Sequence, residues 1–214
     1  WQHSEHPLFS TKDWEDRERA KYNNDDRLFR QEVLGDFWAM AGEAVLHKLD
    51  KYLHMVDLSR IPKHRMVKGV SIDPGAGSSM TAVWFFLYDP FTERFYFMDY
   101  EEFNRSTYKE IVNKITAKGY GYGTGTTYLI DSAAKNRTPD GESWFKLLKS
   151  EGIDPLFLVN NRNITGSIVV ANQNLADGLI FFDSNSSGVT TGLSRLTRYV
   201  FNDNYGADRV KKDE

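Results

Sequence analysis

The segment from Val67 to Ser79 constrains the fold of this chain more than any other. Its first part, Val67–Ile72, is rich in β-branched residues, which predicts a half-buried or central strand. Asp73 follows directly, and Pro74–Gly77 then predicts a tight turn. A strand, an acid and a turn in this order place a carboxylate at the edge of a sheet, where it can bind a metal. The competing interpretation is an Asp that opens a β-turn, where this residue is common.

Strand and helix patterns alternate after this segment. We predict strands over 81–88, 94–100, 127–130, 155–159 and 178–182, and helices over 106–119, 142–150, 164–176 and 191–201. Short turns join the strands at 67–72, 81–88 and 94–100, which should therefore pair antiparallel. Helices separate the later strands, which predicts parallel pairing through crossover connections. The predicted fold class is α/β, with a mixed sheet of three antiparallel strands followed by parallel strands and with helices on both faces.

Residues 1–64 have a different pattern, which predicts a mostly helical appendage. A start that resembles a capping box at Ser10 predicts a charged helix to about Tyr22, and a second helix is expected over 27–34. All five histidines lie in this part of the chain, and their spacing is not that of a metal site. We therefore expect an appendage over 1–64 and a core domain over 65–214. Because the chain begins with Trp1, we also expect residues to precede it.

Composition excludes several classes of protein. The formal net charge is −3, so a nucleic-acid site would have to be a local basic patch. The chain has no cysteine, which excludes a disulfide framework and Cys-based zinc sites and fits an intracellular protein. No apolar run approaches the roughly 20 residues of a membrane span.

Two acids end predicted strands. Asp73 follows the first strand and Asp131 follows the fourth, so both carboxylates emerge at one edge of the sheet if these strands are parallel neighbours. Adjacent carboxylates repel each other, and a divalent cation such as Mg²⁺ or Mn²⁺ relieves that repulsion. Two such ions about 4 Å apart can activate a water and stabilise the leaving oxygen of a phosphodiester. The competing interpretation of Asp131 is an N-terminal cap for a helix that begins at Ser132.

The strand order and the two acids resemble the ribonuclease H-like superfamily. More narrowly, the chain resembles the C-terminal nuclease domain of the large terminase subunit of tailed bacteriophages. The order and spacing of several stretches carry the resemblance: VSIDPG at 70–75, YLIDSA at 128–133, GSI at 166–168, LADGLI at 175–180 and DRVKKDE at 208–214. Upstream, RQEVLGDF at 30–37 resembles the segment that leaves the ATPase domain of that family.

The resemblance implies a metal-dependent endonuclease that cuts concatemeric double-stranded viral DNA during genome packaging in the host cytoplasm. Asp73 and Asp131 would be catalytic and would bind two Mg²⁺ or Mn²⁺ ions. The third acid of the family is expected just beyond Glu214, with Asp213 as the alternative. The implied partners are double-stranded DNA, the terminase ATPase domain, the small terminase subunit and the portal protein, and no membrane is implied.

Basic residues near the acids should contact the DNA, because phosphate contacts dominate non-specific affinity. The candidates are Lys135 and Arg137, which follow Asp131, and Lys146 and Arg162, which belong to the next helix and loop. The Gly-rich stretch 119–125 is interpreted either as a flexible connection or as a mobile loop that shapes the DNA groove.

Two other classes of function remain open. One is a non-catalytic module that grips DNA or docks onto the packaging machine. The other is an ATP-binding domain of the sugar-kinase or actin-like type, in which Ile72–Ser79 would form the first phosphate loop. That class needs a second half with another Asp-x-Gly turn, and the chain offers no convincing one.

Overall fold

The computed structural model describes residues 12–21, 44–74, 80–104, 106–135, 142–154, 156–159, 164–197, 200–201 and 210–211. The chain forms two compact units, one over Lys48–Gly192 and one made of Trp1–His47 with Leu193–Glu214. No helix in the described part is long and apolar enough to cross a lipid bilayer.

The described helices and strands are numbered in chain order. The helices are α1 Lys12–Lys21, α2 Lys51–His54, α3 Tyr108–Ile115, α4 Trp144–Ser150, α5 Ile164–Ala176 and α6 Ser187–Leu196. The strands are β1 Met55–Val56, β2 Val67–Asp73, β3 Thr81–Asp89, β4 Arg94–Phe103, β5 Thr127–Asp131, β6 Leu156–Val159, β7 Ile180–Asp183, β8 Val200–Phe201 and β9 Val210–Lys211.

The larger unit is built on a sheet whose described strands have the order β1-β7-β4-β3-β2-β5-β6. The consecutive strands β2, β3 and β4 pair antiparallel. On one side β5 pairs parallel to β2 and β6 parallel to β5, and on the other side β7 pairs parallel to β4 and β1 parallel to β7. The predicted mixed sheet, with antiparallel strands first and parallel strands after them, is confirmed.

One face of the sheet carries the main apolar core. Side chains of β2, β3 and β5 alternate inwards and meet α3 and α4, so that a single cluster joins them: Val70, Ile72, Val83, Phe85, Ile111, Val112, Ile115, Tyr128, Ile130, Ala134, Leu148 and Ile153. The helix α3 begins with a capping box in which Thr107 and Glu110 bond each other's backbone N–H. This local signal and the apolar stripe of α3 explain why the sequence predicts the helix correctly.

The opposite face is aromatic and carries α6. Trp84 of β3 pairs with Tyr100 of β4, with their ring centroids 4.6 Å apart. Gly192 of α6 packs directly on them, since a Cβ at this position would lie 2.5 Å from the Trp84 ring. Only glycine allows the helix to approach this closely, and the sheet therefore has helices on both faces, as predicted.

The smaller unit is described only in part. It contains α1, whose sequence KDWEDRERAK is almost entirely charged, and a two-stranded antiparallel sheet of β8 and β9. The helix α1 confirms the charged helix predicted from Ser10 to about Tyr22. The second predicted helix, over 27–34, lies outside the described residues.

Two predictions about element boundaries are wrong. The last helix begins at Ser187 and not at Thr191, because the Ser186 hydroxyl accepts the backbone N–H of Val189 at 3.1 Å and caps the first turn. The same helix ends at Leu196, and Val200–Phe201 is a strand.

Residues 48–64 belong to the larger unit, because β1 pairs with β7. The buried ring of His54 fixes this segment: its Nδ1 accepts the backbone N–H of Asp50 and its Nε2 donates to the carbonyl of Leu175, both at 2.9 Å. The predicted division of the chain into an appendage over 1–64 and a nuclease domain over 65–214 stays a prediction.

We expect Ile111→Ala to lower the free energy of unfolding by about 2–5 kcal/mol, because it leaves a cavity between α3 and the sheet. Ile111 is 0% exposed, whereas Val169 is 63% exposed and provides a matched control. Val169→Ala should change the free energy by no more than about 0.5 kcal/mol. Denaturant unfolding of both variants measures the difference, and equal small effects would contradict the assigned core.

Candidate active site

The two predicted acids lie side by side on neighbouring parallel strands. Ile72 of β2 pairs with Ile130 of β5, and Asp73 and Asp131 are the next residues of their strands. Neighbouring strands are about 4.8 Å apart, so the two backbones are that close here. Because side chains alternate along a strand, both carboxylates lie on the face opposite to the buried isoleucines. The predicted parallel pairing of these two strands is confirmed.

Solvent can reach both carboxylates. Asp73 is exposed and Asp131 is half-buried. Oxygen ligands from two adjacent carboxylates are the kind that Mg²⁺ and Mn²⁺ bind, so the pair fits part of such a site. Within the described ranges, no group of three Asp, Glu, His or Cys residues is arranged to hold an ion. Asp213, the alternative for the third acid, lies outside these ranges.

The structure adds a third carboxylate to the same row of the sheet. Ala82 of β3 lies opposite Asp73, and Glu102 of β4 lies opposite Ala82. Glu102 is therefore on the same face as the two acids but two strands away from Asp73, about 10 Å, which is too far to share one ion. The Tyr100 hydroxyl donates to Glu102 Oε1 at 2.7 Å and holds it over β4. The predicted third strand stops at Tyr100, which is why the sequence alone does not place Glu102 in this row.

The chain leaves each acid by a defined local structure. Pro74 is buried, and its carbonyl accepts the Thr81 hydroxyl at 2.9 Å, which ties the end of β2 to the start of β3. A short 3₁₀ turn, Ser132–Lys135, follows Asp131 and buries Ala134. A helical turn therefore begins directly after Asp131, and the interpretation of this residue as a cap stays open beside the metal-binding one.

Comparison with known proteins gives matches in structure alone. No family model matches the sequence, and no curated protein does. The fold matches the large terminase of a thermophilic bacteriophage with a TM-score of 0.61 and 17% identity, over 95% of this chain and 49% of that chain. It matches the P22 large terminase nuclease domain with a TM-score of 0.62 and 9% identity, over 79% and 84% of the two chains. It also matches the nuclease domain of the large terminase from the bacteriophage SPP1, solved with bound Mn. The TM-score is 0.51 and the identity 16%, over 74% of this chain and 84% of that chain.

This chain has the fold of a large-terminase nuclease domain. The predicted ribonuclease H-like α/β class is thereby confirmed. The chain spans about half the length of the thermophilic-phage large terminase that it matches, so it corresponds to only one part of such a protein.

Within this terminase-nuclease fold, the predicted DNA-binding residues have different positions. Lys135 is exposed at the end of the turn that follows Asp131. Lys146 is exposed on α4, which packs on the face opposite to the acids, and its Nζ lies 3.4 Å from Glu142 Oε2. The structure thus brings Lys135 to the edge with the acid pair and places Lys146 on the other face. Arg137 and Arg162 lie outside the described residues.

The Gly-rich stretch 119–125 lies at the wrong end of the sheet to surround the acids. It precedes β5, whose first residue, Thr127, pairs with Gly69 near the start of β2. Thr124 donates its hydroxyl to the carbonyl of Gly121 at 2.6 Å and closes a turn. A loop at the amino end of β5 does not border Asp131 at the carboxyl end, and its interpretation as a loop that shapes the DNA groove stays a prediction.

A cluster of ion pairs lies along the second half of β4. Lys118 pairs with Asp99 and also with Glu101, at 2.8 Å. Asp99 Oδ1 further accepts the backbone N–H of Tyr100 at 2.8 Å and the hydroxyl of Ser186 at 2.9 Å. A polar cavity of about 290 Å³ opens beside this cluster, lined by Asp99, Tyr100, Glu101, Glu102, Lys118, Ser187, Gly188 and Thr191.

Asp99 and Lys118 stay charged across the neutral pH range. Burial acts to raise the pKa of Asp99, but the hydrogen bonds from Lys118, Tyr100 and Ser186 outweigh it, so this pKa lies below its ordinary value. Burial acts to lower the pKa of Lys118, and its bonds to Asp99 and Glu101 reverse the effect, so this pKa is raised. Burial first, and then the charge of Asp99, raise the pKa of Tyr120 to about 12.

We expect Lys118→Met to lower the free energy of unfolding at pH 7 by about 1–3 kcal/mol, because it leaves two carboxylates without their shared cation. The stabilisation linked to Asp99 is present above the ordinary pKa of 3.8 and is lost as the pH falls through the lowered pKa. The difference between parent and variant should therefore shrink below pH 3.8.

Denaturant unfolding at pH 7 and at acid pH measures this dependence. Lys149→Met is the matched control. Lys149 Nζ lies 3.1 Å from Asp154 Oδ1, and both side chains of this ion pair are exposed. Loss of the pair should lower the free energy of unfolding by no more than about 0.5 kcal/mol. A constant difference for Lys118→Met at all pH values would contradict the assigned linkage.

Proposed function

We propose that this chain is the nuclease module of a DNA-packaging large terminase and that it cuts double-stranded DNA by metal-dependent phosphodiester hydrolysis. The observation that carries the proposal is the position of Asp73 and Asp131 on adjacent parallel strands. The similarity to structures described as nuclease domains of large terminases, one of them with bound Mn, supports it.

Asp73 and Asp131 would hold the divalent ions, expected to be two Mg²⁺ or Mn²⁺ ions. A third acid, either Asp213 or one beyond Glu214, would complete the set of ligands. Such ions supply an activated water and neutralise the charge that develops on the leaving oxygen. The protein contributes the fixed spacing of the two carboxylates, because the buried neighbours Ile72 and Ile130 lock both strand ends in place.

DNA would approach the edge of the sheet that carries the two acids. Lys135 stands closest in the chain to Asp131 and would contact a backbone phosphate beside the reacting one. Arg137 and Arg162 are proposed as further phosphate contacts, whereas Lys146 lies on the face opposite to the acids, where it pairs with Glu142.

The remaining partners follow from the same proposal. The chain spans 49% of the thermophilic-phage large terminase, and a terminase ATPase domain is the proposed partner for it within one protein. The small terminase subunit and the portal protein are proposed as further partners, with the host cytoplasm as the place of action.

We expect the chain to nick or cut plasmid DNA in Mn²⁺ without sequence preference, and we expect Asp73→Ala and Asp131→Asn each to reduce the rate at least about 100-fold. Removal of either carboxylate takes away one of the two proposed metal ligands, so that the ion would be bound by the other one of the pair. Gel analysis of supercoiled, nicked and linear plasmid against time measures the rate.

Glu93→Gln is the matched control for these variants. Glu93 is an exposed acid in the turn between β3 and β4, at the end of the sheet away from Asp73, and its loss should leave cutting unchanged. Identical products from the parent and from Asp73→Ala would reject the nuclease and favour the DNA-gripping module. A thermal shift caused by ATP would instead favour the ATP-binding class.

We expect Mn²⁺ binding itself to depend on the same carboxylates. Calorimetric titration of the parent should show binding that Asp73→Ala and Asp131→Asn weaken by at least about tenfold. Asp213→Asn tests the alternative for the third acid: weaker binding assigns the role to Asp213, and unchanged binding excludes it. Unaltered affinity in Asp73→Ala would contradict the metal site.

A further inference from the structure

An exposed basic segment precedes β2. We define the basic segment as Arg60–Arg65, in which Arg60, Lys63, His64 and Arg65 are all exposed and the last three form a 3₁₀ turn. It contains three permanent positive charges within six residues of a chain whose formal net charge is −3.

The basic segment differs from other cationic side chains of the larger unit. Four lysines of that unit form ion pairs with carboxylates: Lys114, Lys118, Lys146 and Lys149. Among the described residues, no ion pair involves the basic segment. Like charges this close repel one another, and a polyanion relieves that repulsion. The segment is therefore suited to an anionic partner from outside the chain.

The partner chemistry is better matched by phosphates than by a protein surface. A protein interface normally has an apolar centre, and none of the large exposed apolar side chains in the described part lies in the basic segment. Guanidinium and ammonium groups without an apolar centre are the usual means of binding a nucleic-acid backbone.

The distance from the acid pair is set by the strand between them. The basic segment lies just before Val67, the first residue of β2, and Asp73 is the last. Six residue steps of about 3.3 Å give roughly 20 Å. Successive phosphates of one DNA strand are about 3.4 Å apart along the helix axis, so this length corresponds to about six base pairs.

We propose that the basic segment is a second phosphate-binding surface, which contacts the backbone of double-stranded DNA about six base pairs from the phosphate at Asp73 and Asp131. The proposal rests on the DNA-cutting function and adds a surface that holds the duplex away from the cut. A contact at this distance positions the duplex without touching the reacting bond.

The test compares two double variants of the whole chain with equal loss of charge. Lys63→Gln/Arg65→Gln removes two charges of the basic segment. Lys109→Gln/Lys114→Gln removes two from α3, which packs on the face opposite to the acids. Binding to a duplex of about 30 base pairs, long enough to span both surfaces, is measured by fluorescence anisotropy in Ca²⁺ over a range of salt concentrations.

We expect the first variant to bind about tenfold or more weakly at about 0.1 M salt. The slope of log K against log salt is negative, and each lost phosphate contact reduces its magnitude by about 0.9. The magnitude for this variant should therefore be smaller than that of the parent by about 2. The α3 variant should keep the slope of the parent. Weaker binding of polyglutamate by the first variant, with its DNA binding unchanged, would indicate an acidic protein partner and overturn the proposal.

Cross-linking gives a second, independent measurement. Because the chain contains no cysteine, Lys63→Cys and Lys109→Cys each create a single site for a photoactivated cross-linker. We expect cross-links to duplex DNA from position 63 and few from position 109. Equal yields at both positions would overturn the proposal.

The outcomes also separate this proposal from the proposed function. If the parent binds and cuts DNA and Lys63→Gln/Arg65→Gln keeps its affinity and slope, only the second surface is wrong. If that variant loses affinity and slope while Asp73→Ala still cuts, the surface stands and the metal assignment fails. A parent chain that binds no DNA would overturn both.

Discussion

The parallel pairing of β2 with β5 is the constraint on which the candidate site depends. Ile72 and Ile130 are buried on one face, and their alternation with the next residues fixes both acids on the other face. Full burial of each isoleucine contributes about 1.5–3 kcal/mol, which offsets the repulsion of the adjacent carboxylates. A register shift of one residue would turn the acids into the core and the isoleucines outwards, so the apolar pattern holds the charged pair in place.

The sequence predicts those elements whose signals are local. The helix α3 and the hairpin of β3 and β4 follow from apolar periodicity and a short turn. The start of α6 is missed because Ser186 acts as a cap only through a bond to Val189, in a stretch whose composition is typical of a loop. The two-residue strand β1 is missed because its pairing with β7 joins Met55 to Phe182, which are remote in the chain.

The sequence predicts the part of the site that depends on where strands end. It does not predict the part that depends on the register between strands. Asp73 and Asp131 each end a strand, and a crossover between them is enough to place them at one edge. Glu102 enters their row only through the register of β3 with β4. Lys146 and the Gly-rich stretch are adjacent to the site in the chain, but the former packs on the opposite face and the latter lies at the opposite end of β5.

The edge position of β1 has a mechanical consequence. A pulling force on the chain before β1 reaches the sheet at its outermost described strand, which three other strands separate from β2. β1 makes two residue pairs with β7, and the ring of His54 and the bond from Asn185 to Asp57 add to them, whereas β2 is paired along all seven of its residues with β3. Such a load would detach β1 first, so the outer strand would yield while the strands that hold the acids stay unstrained.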